Sequence, residues 1–326
     1  MVRQLLPLLR HAGAALALTA VAATAVAQSF PNKPVELVVP YPPGASVDML
    51  ARLLQPTMTE VLGQQVVVEN RGGAGGNIGS ASVARSAPDG YRILLATNAG
   101  LTINPHVYND IGYDVMKDLA PVTLLARGPI AIGVNTQLGL NSLEELVEYG
   151  KKNPGKLTYG TPGAGSPQHL IGELLADAAG IEMTHVPYRG VAPAITDLLG
   201  GNISIVISTL AGFTPHMGSD RIKLLAIGDA ERFPTAPDIP TVAETFPGFD
   251  TSAWFAVMTR AGTPDDVIAK LDNAVRAALK TDKMQEALKS SALIAVGEGP
   301  EAVKELIKTD YERWGKIVKE KGIATN

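Results

Sequence analysis

Residues 35–54, VELVVPYPPGASVDMLARLL, decide how this chain is read. Val35, Leu37, Val38 and Val39 form a short apolar run of strand length, which meets Pro40-Tyr41-Pro42-Pro43-Gly44. Apolar residues at helical spacing follow Ser46: Leu50, Leu54, Met58 and Val61. The pattern predicts a buried strand, a stiff proline-framed turn and an amphipathic helix. Such a helix start presents backbone N–H groups without intrahelical partners at the positive end of the helix dipole, which suits an anion. The prolines fix the loop before binding, which lowers the ordering cost. Tyr41, Pro42, Gly44, Ala45 and Ser46 are therefore candidate ligand contacts. The alternative is an ordinary turn capped by Ser46 or Asp48. Asp48 is expected to brace the first-turn amides and not to touch an anion.

The construction repeats at residues 156–175, KLTYGTPGAGSPQHLIGELL. A short strand passes through a glycine-rich turn into a helix, with Ser166 as a good N-cap and Pro167 at the first helical position. Thr161, Gly163, Gly165 and Ser166 form the second candidate loop, its glycines allowing a ligand close to the backbone. Two such elements far apart in sequence suggest two lobes offering helix N-termini to one anionic ligand.

Between these loops strand-like and helical patterns alternate. Strand-like runs fall at 35–39, 66–69, 92–96, 130–134, 157–159, 184–186, 203–207 and 223–227. Alternation of this kind predicts α/β layers with mainly parallel sheets, with ligands at the carboxyl ends of strands. The last quarter reads as helices at 264–279, 283–290 and 300–322 with one short strand at 293–296, a tail expected to pack on the first lobe. The proline-rich stretch 232–250, with four prolines, is the expected return crossing, and 125–129 the outward one.

Residues 1–27 read as a leader and not as fold. Arg3 and Arg10 precede an apolar stretch at 12–21, and Ala25-Val26-Ala27 is an A-x-A cleavage site. The expectation is export to the periplasm with cleavage after Ala27. The chain has no cysteine, which excludes disulfides, thiol catalysis and a lipid anchor on cysteine. Its net charge is −4, and residues 1–27 carry two of its positive charges and no negative one. An acidic chain with 5% aromatic residues has no nucleic-acid footprint. Anions must then be attracted by local backbone dipoles.

Other motifs carry less. Gly72-Gly73-Ala74-Gly75-Gly76-Asn77-Ile78-Gly79 resembles a dinucleotide loop, but Ile78 stands where the fingerprint needs glycine. It is read as a tight crossover needing positive φ, and no cofactor is expected. Asn98, in Thr97-Asn98-Ala99-Gly100, has two readings, a polar ligand contact or a helix cap. His169, at the third helical position after Ser166, is read as a local hydrogen-bonding or packed residue. His106, His169, His185 and His216 lack an H-E-x-x-H frame, so no metal site is expected. There is no G-x-S-x-G elbow and no Walker loop.

Eight segments, in order, carry a resemblance: PYPPGASVDMLAR (40–52), VVVENRGGAGGNIG (66–79), APDGY (87–91), INP (103–105), YGTPGAGSPQHLIGELL (159–175), HVPYRGVAPAITDLLGG (185–201), DIPTVAE (238–244) and WFAVMTRAGTP (254–264). Together they are similar to the solute receptors of tripartite tricarboxylate transporters, the Bug-type periplasmic receptors. The resemblance implies a two-lobed periplasmic binding-protein fold closing on a small carboxylate in the interlobe cleft. It places ligand contacts at Pro42, Gly44, Ala45 and Ser46 in the first loop, and at Thr161, Gly165 and Ser166 in the second. Asn98, Tyr188 and Arg189 fall at pocket edges.

Lobe 1 would comprise 28–127 plus 250–326 and lobe 2 residues 128–249, hinged about Arg127 and Asp250. The implied function is non-catalytic delivery of a carboxylate to membrane permease subunits, by a monomer. The alternatives are a sensor adaptor for a signalling system and, further off, a hydrolase using His169 with Ser166. Two departures from the family pattern stand out. Ala45 replaces a loop glycine, and Ser208-Thr209 stands where many relatives carry an acid. A neutral Ser208 in the pocket favours a plain mono-, di- or aromatic carboxylate over an amino acid.

Overall fold

A computed structural model of the chain describes residues 30–43, 46–163 and 166–322. The leader at 1–27 and its cleavage site lie outside the described residues. All elements below belong to the unit Lys33–Asn326.

Strand β1 (Val35–Val39) is buried along most of its length. Its chain turns through the prolines into helix α1 (Ser46–Leu62) and returns as β2 (Val66–Asn70), parallel to β1 with Val35 opposite Val66. The Gly72–Gly79 tract is the tight crossover its composition predicts. Gly73, Gly75 and Gly76 sit at φ 126°, 64° and 98°, a region that favours glycine. Helix α2 (Asn77–Ala84) follows. There Gly79 lies so close to the chain that a Cβ would stand 2.6 Å from the Arg71 carbonyl oxygen and 2.8 Å from Pro40 Cα.

Strand β3 (Arg92–Thr97) pairs parallel with β1. The chain then makes β4 (Leu119–Gly128) and β5 (Ile130–Asn135), separated by Pro129 alone. Next come α3 (Leu143–Lys152), β6 (Leu157–Thr161), α4 (Pro167–Ala179), β7 (Met183–Pro187), α5 (Val191–Gly200), β8 (Ile205–Thr209) and β9 (Ile222–Ile227). The tail supplies β10 (Ala253–Arg260), α6 (Asp265–Leu279), α7 (Asp282–Ser290), β11 (Ile294–Glu298) and α8 (Pro300–Lys321).

These strands make two sheets, ordered β11-β4-β10-β3-β1-β2 and β7-β6-β8-β5-β9, one per lobe. The two-lobed α/β architecture is the expected one, but the sheets are mixed and not mainly parallel. In the larger sheet β10 runs antiparallel to both β3 and β4, and β11 antiparallel to β4. In the smaller, β5 is antiparallel to β8 and β9, while β6 is parallel to β7 and β8. The reason is the path between lobes. A parallel pair needs a crossover of a dozen or more residues, and β4 passes into β5 through a single proline, while β10 returns from the second lobe.

Strands β4 and β10 are missing from the sequence-based set. In β4 Pro121 interrupts the strand pattern, and the structure accommodates it beside a register shift at Val257/Met258 of β10, the bulge position a strand proline tolerates. The return stretch 232–250 is loop except for the turn Val242–Thr245, fixed by a capping box in which Thr241 and Glu244 bond each other's backbone N–H. In the tail, β11 pairs with β4 of the larger sheet, and α6 packs on α1 and β4. Helix α8 reaches further: Trp314, Ile317 and Val318 join a core with Leu170, Ile171 and Leu175 of α4.

The two crossings lie side by side. Gly228 N–H donates to the Ile130 carbonyl (2.7 Å) and Thr251 N–H to the Gly228 carbonyl (2.7 Å). Charge gathers beside them. Asp310 of α8, buried, accepts from Trp254 Nε1 (2.7 Å) and Arg313 (2.6 Å), and Arg313 also lies 3.8 Å from Asp250. Asp229 is only 7% exposed, and its Oδ2 has no hydrogen-bond partner; nor has the buried Nε of Arg127. Burial first, then the neighbouring Asp250, push the Asp229 carboxyl up to about 7 against the attraction of Arg127.

Candidate functional site

The first loop is held from both sides in its sheet. Asp48, buried in the first turn of α1, accepts from Asn70 Nδ2 (2.9 Å) and Arg52 Nε (3.0 Å). The same Asn70 nitrogen reaches the Tyr41 carbonyl at 3.2 Å. Tyr41 Oη is hydrogen-bonded to Thr97 Oγ1 at 3.0 Å and donates to the Gly75 carbonyl at 3.4 Å. Burial raises the Tyr41 hydroxyl above its ordinary pKa. Strand ends β2 and β3 thus clamp the base of the loop. Asp48 thus ties the start of α1 to Asn70 at the end of β2 and to Arg52, where the sequence suggested a brace for the first-turn amides. Pro42 is exposed and packs near Gly72. Gly44 and Ala45 lie outside the described residues, and Ser46 opens α1.

The second loop leaves β6 at Thr161, whose buried Oγ1 lies 2.7 Å from His185 Nε2 and donates to the Gly163 carbonyl at 3.1 Å. Ser166 is the N-cap of α4, its side chain accepting the His169 N–H (3.2 Å), with Pro167 at the first position. The cap satisfies one of the helix's open donors and leaves others facing the loop. Gly165 lies outside the described residues.

Beneath this loop the rings of His169 and His185 stack at 3.8 Å between centroids and 12° between planes. Tyr159 lies against His185 at 4.9 Å, and its hydroxyl donates to Glu173, which is 3.8 Å from His169 Nε2. Burial lowers the His169 pKa, partly offset by Glu173; burial and then His169 push His185 down to about 4. Gly172 lets α4 sit this close, since a Cβ there would stand 2.2 Å from Tyr159 Cε2.

The remaining candidates fall in several places. Asn98 is buried and donates to the Ser252 carbonyl at 3.3 Å, tying the end of β3 to the return crossing; it makes no side-chain cap. Tyr188 bonds the Thr161 carbonyl through its N–H (3.0 Å), but its hydroxyl donates to Asp197 (2.6 Å). Burial, and then this bond, push that hydroxyl up to about 12. Arg189 is exposed. Ser208 is fully buried with an unpartnered hydroxyl, pointing at Gly212, and Thr209 is half-buried at the end of β8.

The structure therefore gathers Thr161, Ser166 and His169 in one cluster and ties Asn98 to the crossing. In this conformation Tyr188 gives its hydroxyl to Asp197, and Ser208 is buried. His185, Tyr159 and Glu173 were absent from the sequence-based set. Tyr159 and Thr161 share a face by strand alternation, and register places His185 opposite Tyr159; that register is not readable before the strands are paired. A groove of about 590 Å³ on the larger lobe, lined by Met116, Ile268 and Ile307 among others, includes none of these residues.

Two lobes, each with its own mixed sheet and a strand that ends in a loop before a helix N-terminus, define a two-lobed binding protein. Among solved structures, R. palustris Rpa4515 with adipate superposes with a TM-score of 0.78 at 35% identity, covering 90% of this chain and 99% of that one. MatC from Rhodopseudomonas palustris with bound malate gives 0.74 at 29% identity, covering 89% and 100%. Protein BugT of Bordetella pertussis is 36% identical over 317 residues, 97% of either chain. Residues 50–323 match the description "Tripartite tricarboxylate transporter family receptor". The chain belongs to that family.

Proposed function

We propose that this protein captures a small organic carboxylate between its lobes and hands it to membrane permease subunits without transforming it. The observation that carries the reading is the pair of strand–loop–helix ends, at Tyr41–Pro43 before α1 and Thr161–Gly163 before α4, each able to meet one end of an anion. The adipate and malate carried by similar structures give the ligand class. The contacts are assigned to the first loop (Tyr41, Pro42, Gly44, Ala45, Ser46) and the second (Thr161, Gly165, Ser166, His169). Asn98, Tyr188, Arg189, Ser208 and Thr209 would form the edges.

Lobe 1 is taken as 28–127 plus 250–326 and lobe 2 as 128–249, closing about Arg127 and Asp250. The working form is a monomer in the periplasm after removal of residues 1–27. Among the described residues no helix is long and apolar enough to cross a membrane, which fits delivery to a separate permease.

A thermal-shift and calorimetric screen of mono-, di- and aromatic carboxylates against their amino-acid counterparts tests this. A ligand at 100 times its Kd raises stability by about 2.7 kcal/mol, and small-angle scattering at saturation should show compaction. Failure of every carboxylate at millimolar concentration to stabilise the protein refutes the ligand class. An unchanged radius of gyration at saturation refutes closure.

A further inference from the structure

Holding a carboxylate on backbone amides needs no histidine, yet two lie directly under the second loop. The path from the loop to the rings is short. Thr161 Oγ1 donates to the Gly163 carbonyl (3.1 Å), so its single proton is used there. At 2.7 Å from His185 Nε2 it must then accept, which assigns the ring hydrogen to Nε2 and leaves Nδ1 as the position where a further proton adds. His169 is stacked on His185 at 3.8 Å, so the pair takes one proton far more readily than two.

We infer that carboxylate capture at the second loop is coupled to uptake of one proton by His185, the ring stacked on His169, so that affinity rises as pH falls. The inference rests on the reading of that loop as an anion site.

Electrostatics gives the direction. The groups facing His185 are His169 of α4 and Tyr159 and Thr161 of β6, with Glu173 of α4 beside His169; exposed Arg189 lies two residues beyond β7. On the far side α8 adds Trp314, Ile317 and Val318 to the adjoining core. Without ligand, burial lowers the pKa of both rings, against Glu173 at His169 and with the help of His169 at His185, so both are neutral near pH 7. Glu173 is a single acid already bonded by Tyr159. A carboxylate brought to the loop is a second negative charge, one hydroxyl away from His185. It favours the imidazolium, and by linkage the imidazolium favours the carboxylate. Across the window between the free and ligand-bound pKa values, the Kd falls up to about ten-fold per pH unit.

The test is calorimetry with adipate and malate at pH 8 and pH 6, in buffers of different ionisation enthalpy, on the intact protein and on His185→Gln. Glutamine keeps an N–H for Thr161 but cannot take up a proton. Expected for the intact protein are net proton uptake on binding and a Kd at least about three-fold lower at pH 6. In His185→Gln, checked for folding by its thermal midpoint, both effects should be lost whatever its affinity at pH 8. Binding without proton uptake in the intact protein overturns this inference and leaves the carboxylate reading standing. Undiminished uptake in His185→Gln also overturns it and points to His169 or Asp229 as the proton site. Absence of binding by any carboxylate in the wider screen at either pH removes both readings.

Discussion

Replacing Asp229 by asparagine should make this protein more stable at alkaline pH and change little at acid pH. The carboxyl is buried at the crossing between lobes, with Oδ2 unpartnered, Asp250 nearby, and Arg127 as the compensating charge. Its pKa is raised from 3.8 in the unfolded chain to about 7 in the fold. The folded state therefore binds the proton more tightly. The stabilisation linked to it is fully present below pH 4 and is lost as pH rises through 7. A shift of about three units corresponds to on the order of 4 kcal/mol, of which roughly 3 falls between pH 5 and pH 8. Asparagine is nearly the same shape and stays neutral throughout. Urea unfolding of both proteins at pH 5 and pH 8 gives the comparison, and the difference between them cancels the histidines, which titrate in both. Near pH 5 the variant should lie within about 1.5 kcal/mol of the parent, and at pH 8 it should be more stable by roughly 2–4 kcal/mol. A variant less stable at pH 8 would refute the reasoning. It would mean that ionised Asp229 forms a strong pair with Arg127 and that the crossing is held by attraction and not strained by burial.

Ser208→Ala removes a fully buried hydroxyl that has no partner, so thermal or urea unfolding should show unchanged stability or a gain of about 1 kcal/mol. If Ser208 is a ligand contact, affinity for the best carboxylate falls in the same variant; unchanged affinity removes it from the site. Gly79→Ala should lower stability by about 2 kcal/mol or more. In a free helix that change is favourable by up to about 1 kcal/mol, but here the methyl meets backbone at 2.6 and 2.8 Å, which cannot swing aside as a flexible side chain would. Neutral or improved unfolding midpoints in this variant would show that α2 can lift from Pro40 and Arg71 at little cost.

The elements legible in the sequence are those whose signal is local. β1 and α1, β6 and α4, the cap at Ser166 and the positive-φ crossover at Gly73–Gly76 each follow from residues within a few positions of one another. The strands that escaped reading, β4 and β10, owe their conformation to pairing partners distant in the chain, and Pro121 disguises one of them. The same limit applies to the site. Ser166 and Thr161 announce themselves as a cap and a strand end. The His169–His185 stack exists only because β7 registers against β6 and α4 folds over both. Tyr188 and Ser208 show the converse: residues at suggestive strand ends whose hydroxyls this fold turns onto neighbours of their own, one onto Asp197 and the other towards Gly212.

The position of β10 between β3 and β4 sets an order of assembly. The smaller sheet draws all its strands from Ile130–Asn135 to Ile222–Ile227, and nothing later in the chain is needed to complete its ladder. The larger sheet has a gap at its centre until Ala253–Arg260 arrive, and until then β3 and β4 each present an unpaired edge. A growing or truncated chain that stops short of Arg260 therefore keeps its first-made sheet unfinished, while its second sheet can already form and lacks only the core contacts of Trp314, Ile317 and Val318. It remains exposed to chaperones, proteases and aggregation until its last quarter has been made.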